Sequence, residues 1–89
     1  MLNFQIISEH LRTGREIEFS YKNRQYSITN RNQKWYLCCD STQTQLMELC
    51  SFSSFDELLD KVGRFSPEDL TIAEIFDNHL YDPDSVTIF

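Results

Sequence analysis

The sequence predicts one α+β domain over residues 1–89: an N-terminal helix, an antiparallel meander of three to four strands, then two C-terminal helices packed on one face of the sheet. Three observations carry this expectation. The apolar spacing changes from helical to alternating near Ile17 and returns to helical after Ser51. The connections between the alternating runs are short and contain asparagine, which suits hairpins. Each helical segment is apolar on one side only, so helices and a one-sided sheet must bury their faces against each other.

In "LNFQIISEHLRTG", Phe4, Ile7 and Leu11 fall at helical spacing, with Ile6 and His10 beside them and Gly14 placed to end the helix. The period then becomes two. Ile17, Phe19 and Tyr21 form the first alternating set, Tyr26 and Ile28 the second, and Trp35, Leu37 and Cys39 the third. A fourth strand, "QLMELC", follows the polar loop "DSTQT"; its alternation about Glu48 turns Met47 and Leu49 inward and Leu46 and Cys50 outward. In "SSFDELLDKVG", Phe55, Leu58, Leu59 and Val62 share one helical face, and Ser54 stands three residues before Glu57 as a capping box requires. Thr71 and Glu74 make a second box, Leu70 and Ile75 a hydrophobic staple, and Ile72, Ile75, Phe76, His79 and Leu80 one face, with Asp82 and Pro83 as the stop. The intervening "FSPEDL" fits a single helical turn or the start of a longer, bent last helix. The closing "SVTIF" has strand composition without an assigned place.

Composition narrows the function classes. With 40% hydrophobic and 13% aromatic residues, two glycines and two prolines, the chain is globular rather than disordered or fibrous. No apolar run approaches the ~20 residues of a membrane span, and the N-terminus lacks a secretory pattern, so the expected setting is the cytoplasm, with no membrane partner. Three cysteines, Cys38, Cys39 and Cys50, lack metal-binding spacing and make no disulfide framework; buried or half-buried thiols are expected. The net charge of −6 is uneven: residues 1–50 carry six basic and five acidic side chains, residues 51–89 two and nine.

Catalytic patterns are lacking. Neither His10 nor His79 stands in a recognisable arrangement with a cysteine or serine; His79 reads as a packed histidine on the last helix. Gly14 and Gly63 are single glycines at helix ends, not a phosphate loop. Asp77, Asp82 and Asp84 lack the central glycine and terminal glutamate of a calcium loop. No catalytic, metal or cofactor residue is therefore assigned, and no cofactor is expected.

Binding is the remaining class. The expected interaction surface is the outer sheet face where Tyr36, Cys38, Leu46 and Cys50 gather, together with Val86, Ile88 and Phe89 of the closing segment, which can add a strand to an open edge. A protein partner or a second copy suits such a surface. The alternative is single-stranded nucleic acid held by Arg12, Arg15, Lys22, Arg24, Arg31 and Lys34 at strand ends and turns, with Tyr36 as a stacking platform. A pI near 4.7 opposes it. A third reading, a thiol enzyme or redox sensor, uses Cys38 or Cys50 and needs an accessible thiol of lowered pKa. "EIEFSYKNRQYSIT", "KWYLC" and "TIAEIFDNHLY" together resemble small uncharacterised cytosolic proteins of Gram-positive bacteria. That resemblance implies no activity, cofactor or site residue.

Overall fold

The computed structural model describes residues 2–39 and 45–89, with the side chains of residues 45 and 46 outside that description. The polar loop expected at residues 40–44 therefore lies outside the described residues. In chain order the elements are α1 (Phe4–Arg12), β1 (Ile17–Tyr21), β2 (Arg24–Arg31), β3 (Lys34–Cys39), β4 (Gln45–Ser51), α2 (Phe55–Arg64), α3 (Ile72–Asp77) and β5 (Thr87–Ile88). The strands form one antiparallel sheet in the order β4-β3-β2-β1-β5. The fold is α+β as expected, with a fifth strand supplied by "SVTIF".

Local chemistry explains most element ends. The Asn3 side chain accepts from the Ile6 amide to start α1. At its other end Gly14, at φ 87°, lets the Gly14 and Arg15 amides return to the Leu11 and His10 carbonyls at 3.0 and 3.2 Å, a Schellman stop. The β1–β2 and β2–β3 connections are tighter than "KNR" and "NRNQ" indicate. Lys22 and Asn23, then Asn32 and Gln33, all have positive φ, the pattern of two-residue type I′ turns whose twist matches the strands. The Thr71 hydroxyl accepts from the Glu74 amide while the Glu74 carboxylate accepts from the Thr71 amide, so that capping box forms.

Three expectations about the helices are corrected. Ser54 is the N-cap of α2, but its side chain makes no capping bond, and Glu57 instead pairs with Lys61 one turn on, at 2.8 Å. "FSPEDL" forms bends rather than a helical turn, closed by the Ile72 amide on the Phe65 carbonyl, so α2 and α3 are separate helices. α3 ends at Asp77, well before Asp82 and Pro83. His79 takes the left-handed conformation (φ 55°) while its amide and that of Leu80 return to the Phe76 and Ile75 carbonyls, a second Schellman stop without glycine. His79 is consequently exposed instead of packed, and Leu80 is 48% exposed. Tyr81 takes the place they leave: it is buried, its ring lies 4.7 Å from Phe76, and its hydroxyl donates to the Leu2 carbonyl.

The core lies between the inner sheet face and the helices. Ile17, Phe19, Tyr21, Tyr26, Ile28, Trp35 and Leu37 are all buried, as period two predicts. Against them pack Ile7 and Leu11 of α1, Leu58 and Val62 of α2, and Ile72, Ile75 and Phe76 of α3. Phe19 meets Phe76 edge-on at 4.9 Å between ring centroids, a favoured geometry for aromatic quadrupoles.

A carboxylate ties the α2–α3 connection to the first hairpin. Asp69 accepts from the Tyr21 hydroxyl and from Lys22 Nζ, each at 2.8 Å. The Lys22 bond, then the Tyr21 bond, lowers the Asp69 pKa below its ordinary 3.8. The folded chain thus binds fewer protons than the unfolded chain in acid. This contribution to stability is full above the ordinary value and is lost as pH falls through the lowered one. The expected result is a lower urea midpoint for Asp69→Asn than for the parent at neutral pH, with the gap closing in acid below 3.8. A gap that persists to the most acid pH at which the parent stays folded contradicts this account.

Candidate functional site

With the helices on the inner face, the outer face of the meander is left open. Alternation fixes what it presents. Glu18 on β1 pairs with Ser27 on β2, which pairs with Cys38 on β3. One step along, Thr29 on β2 pairs with Tyr36 on β3, which pairs with Glu48 on β4. The centre of this face is therefore built from short side chains, Ser27, Thr29 and Cys38, all half-buried. Longer ones rise around it. A depression of about 280 Å³ lies between Glu16 and Glu18 on one side and Arg31 and Cys38 on the other, floored by Ser27 and Thr29. The Glu16 carboxylate is held by the Asn30 amide at 2.8 Å, and the Arg31 guanidinium lies 5.7 Å from the Tyr36 ring centroid, within cation–π range. Lys34 Nζ pairs with the Glu48 carboxylate at 3.4 Å beside that stack.

The predicted surface residues are only partly brought together. Tyr36 and Cys38 do sit on the outer face, both half-buried, with Cys38 lining the depression and Tyr36 stacked against Arg31. The backbone of Leu46 pairs opposite Cys38, and its side chain lies outside the description. Cys50 is a correction: it is buried on the core side rather than turned outward. The register shifts between Trp35 and Tyr36, so Cys50 pairs with Trp35 while Glu48 pairs with Tyr36, and Leu49 is the extra residue of a β-bulge. The bulge sends Leu49 and Cys50 to the same side, and both are buried. Met47, opposite Leu37, nonetheless stays 43% exposed because β4 is an edge strand.

The closing segment reaches a different edge. β5 pairs with β1, on the opposite side of the sheet from β4, with Ile88 opposite Ile17. Val86 and Ile88 are half-buried against the core, whereas Phe89 is 60% exposed. The strand thus completes the sheet in its own chain and lies at the far side from Tyr36.

The six cations of the nucleic-acid alternative do not assemble into one surface. The β1–β2 and β2–β3 turns are at opposite ends of the eight-residue β2, roughly 24 Å apart at strand rise, which separates Lys22 and Arg24 from Arg31 and Lys34. Most of these cations also face acids. Arg12 pairs with Asp56 at 2.6 Å, Lys22 with Asp69 at 2.8 Å, Arg24 with Glu68 at 3.7 Å and Lys34 with Glu48. Arg15 is exposed, and Arg31 has the Tyr36 stack. Cys50 does not meet the needs of a reactive thiol: burial, then the Glu57 carboxylate, raises its pKa, and the thiol points to the Ser54 carbonyl at 3.6 Å.

A larger hollow of about 470 Å³ went unread in the sequence. It lies between the β1–β2 hairpin tip, with Lys22 and Arg24, and the segment Leu80–Asp82. Its apolar wall is Leu80, which the helical period assigns to the core, and only the early stop of α3 at Asp77 puts it there. Among the described residues no group of three or more histidine, cysteine, aspartate and glutamate side chains is placed to hold a metal ion, and no helix is long and apolar enough to cross a membrane. No protein-family model matches the chain, and no curated protein or solved structure is detectably similar to it.

Proposed function

We propose that the chain is a non-enzymatic protein-interaction or regulatory module of the cytoplasm, and that another protein or a second copy docks on the open outer face of its sheet. One observation carries this reading. The helices seal one face, while the other presents a centre of Ser27, Thr29 and Cys38 that another backbone can approach, rimmed by Glu16, Glu18 and Arg31, with Tyr36 stacked against Arg31. Arginine and tyrosine are enriched at the residues that dominate interface energies, and hydroxyls and carboxylates around them give direction to a docking chain. The alternating charge of the rim favours a partner carrying both signs, such as a peptide or protein surface, over a polyanion.

Single-stranded nucleic acid remains the second reading on the strength of the Arg31–Tyr36 stack alone. Fluorescence anisotropy of labelled single strands at low salt separates the two, since phosphate contacts give a signal that falls steeply with salt. No signal is expected. The non-enzymatic part is tested by a broad hydrolase and nucleotidase screen, in which turnover abolished by Arg24→Ala or Asp82→Ala in the larger hollow overturns it.

A further inference from the structure

The two edges of the sheet are finished differently. On one side β5 is only two residues long, and the turn before it continues the cover of β1: the Asp82 amide donates to the Ser20 carbonyl, and the Ser20 amide to Ser85 Oγ. On the other side β4 offers seven residues of edge with no further strand beyond it among the described residues. An open edge of that length is a template for another strand. At one point it is occupied. Lys61, in the last turn of α2, donates from Nζ to the Leu49 carbonyl at 2.6 Å, and Leu49 is the bulge residue of β4. The same ammonium pairs with Glu57 at 2.8 Å, which steers it from within its own helix and raises its pKa, so it stays charged through neutral pH.

We propose that Lys61 guards the β4 edge, and that the strand it excludes is the β4 of a second copy. A strand added along β4 needs the Leu49 carbonyl as an acceptor and meets an ammonium already bonded there. The bulge removes the regular spacing of donors and acceptors at the same point. Among the described residues no second side chain bonds to the edge between Gln45 and Met47, a stretch too short to hold a second copy by itself. A second copy is the strand that fits, because antiparallel pairing of one edge with itself is a closed two-fold contact. Met47, 43% exposed beside this edge on the core-facing side, is the apolar surface that such a pair covers.

The test is Lys61→Met, which keeps the apolar stem and removes the charge and the donor. In sedimentation the variant is expected to reach twice the parent's mass at concentrations where the parent's mass is constant. Amide exchange over Gln45–Ser51 is expected to slow as concentration rises. Lys61→Arg, which keeps charge and donor, is expected to behave as the parent. Glu57→Gln frees the ammonium without removing it and is expected to shift the mass in the same direction by less; it decides the matter should Lys61→Met not fold. An unchanged mass and concentration-independent exchange in the folded variants overturn the proposal, as does concentration-dependent protection of these amides in the parent.

Discussion

Trp35→Ala is expected to lower the free energy of unfolding by about 3–5 kcal/mol, the range for removing a buried tryptophan, as read from urea titration. Trp35 is fully buried and stacks on Phe52 with ring centroids 5.5 Å apart and planes 4° from parallel. Its indole N–H donates to the Phe52 carbonyl at 2.9 Å, and Phe52 in turn packs edge-on against Phe55 at the start of α2. The residue therefore joins the middle of the sheet to the first turn of a helix through one ring stack and one hydrogen bond. A small domain holds only about 5–15 kcal/mol in total, so the variant sits near the limit of folding. Trp35→Phe keeps most of the ring and leaves the Phe52 carbonyl without its donor. The expected loss there is roughly 1–3 kcal/mol, and losses of equal size in the two variants contradict the packing account.

Deleting residues 84–89 is expected to cost about 2–4 kcal/mol, from two half-buried apolar side chains and the bonds that close the β1 edge. Val86 and Ile88 lose their cover of the core, Ser20 loses Ser85 Oγ, and Glu16 loses the Phe89 amide on its carbonyl. β1 keeps its full register with β2, from Ile17 opposite Ile28 to Tyr21 opposite Arg24, so the chain still folds. Urea titration gives the loss, and amide exchange locates it: Ile17–Tyr21 exchange faster while Lys34–Cys39 do not. Faster exchange across the whole sheet contradicts a local role for the strap.

Where side chains obey a single period, the sequence was sufficient. Ile17, Phe19, Tyr21, Tyr26, Ile28, Trp35 and Leu37 are inside because period two leaves no other arrangement once one face is buried. Gly14 and the Thr71–Glu74 box were legible for the same reason, since each satisfies orphan helix groups within a few residues. Three features were not legible. The bulge at Leu49 adds one residue to β4 and reverses Cys50; it depends on how β4 lies against β3 and α2, with no local mark in "QLMELC". His79 ends α3 in a conformation that glycine usually takes, so the stop at Asp77 had no glycine to announce it. Ser54 and Glu57 have capping-box spacing, but Glu57 is drawn to Lys61, a competition between two local partners that spacing cannot rank. The candidate surface followed the same division. Tyr36 and Cys38 were placed outward by alternation, while the separation of β5 from them is a matter of strand order, which pairs it with β1 at the far edge.

The most direct measurement of the central claim places a charge in the outer face and follows association. Tyr36→Asp removes the ring under Arg31 at a half-exposed position outside the core, so the variant is expected to keep the parent's circular dichroism and, from urea titration, its free energy of unfolding to within about 1 kcal/mol. Parent, Tyr36→Asp and a helix-side control, Asp60→Lys, are compared by sedimentation and by quantitative capture of bound proteins under identical conditions. The account predicts that the control keeps the mass and the bound proteins of the parent while Tyr36→Asp loses them. A folded Tyr36→Asp variant with the same mass and the same partners as the parent contradicts it, and the open face is then only solvent-facing sheet.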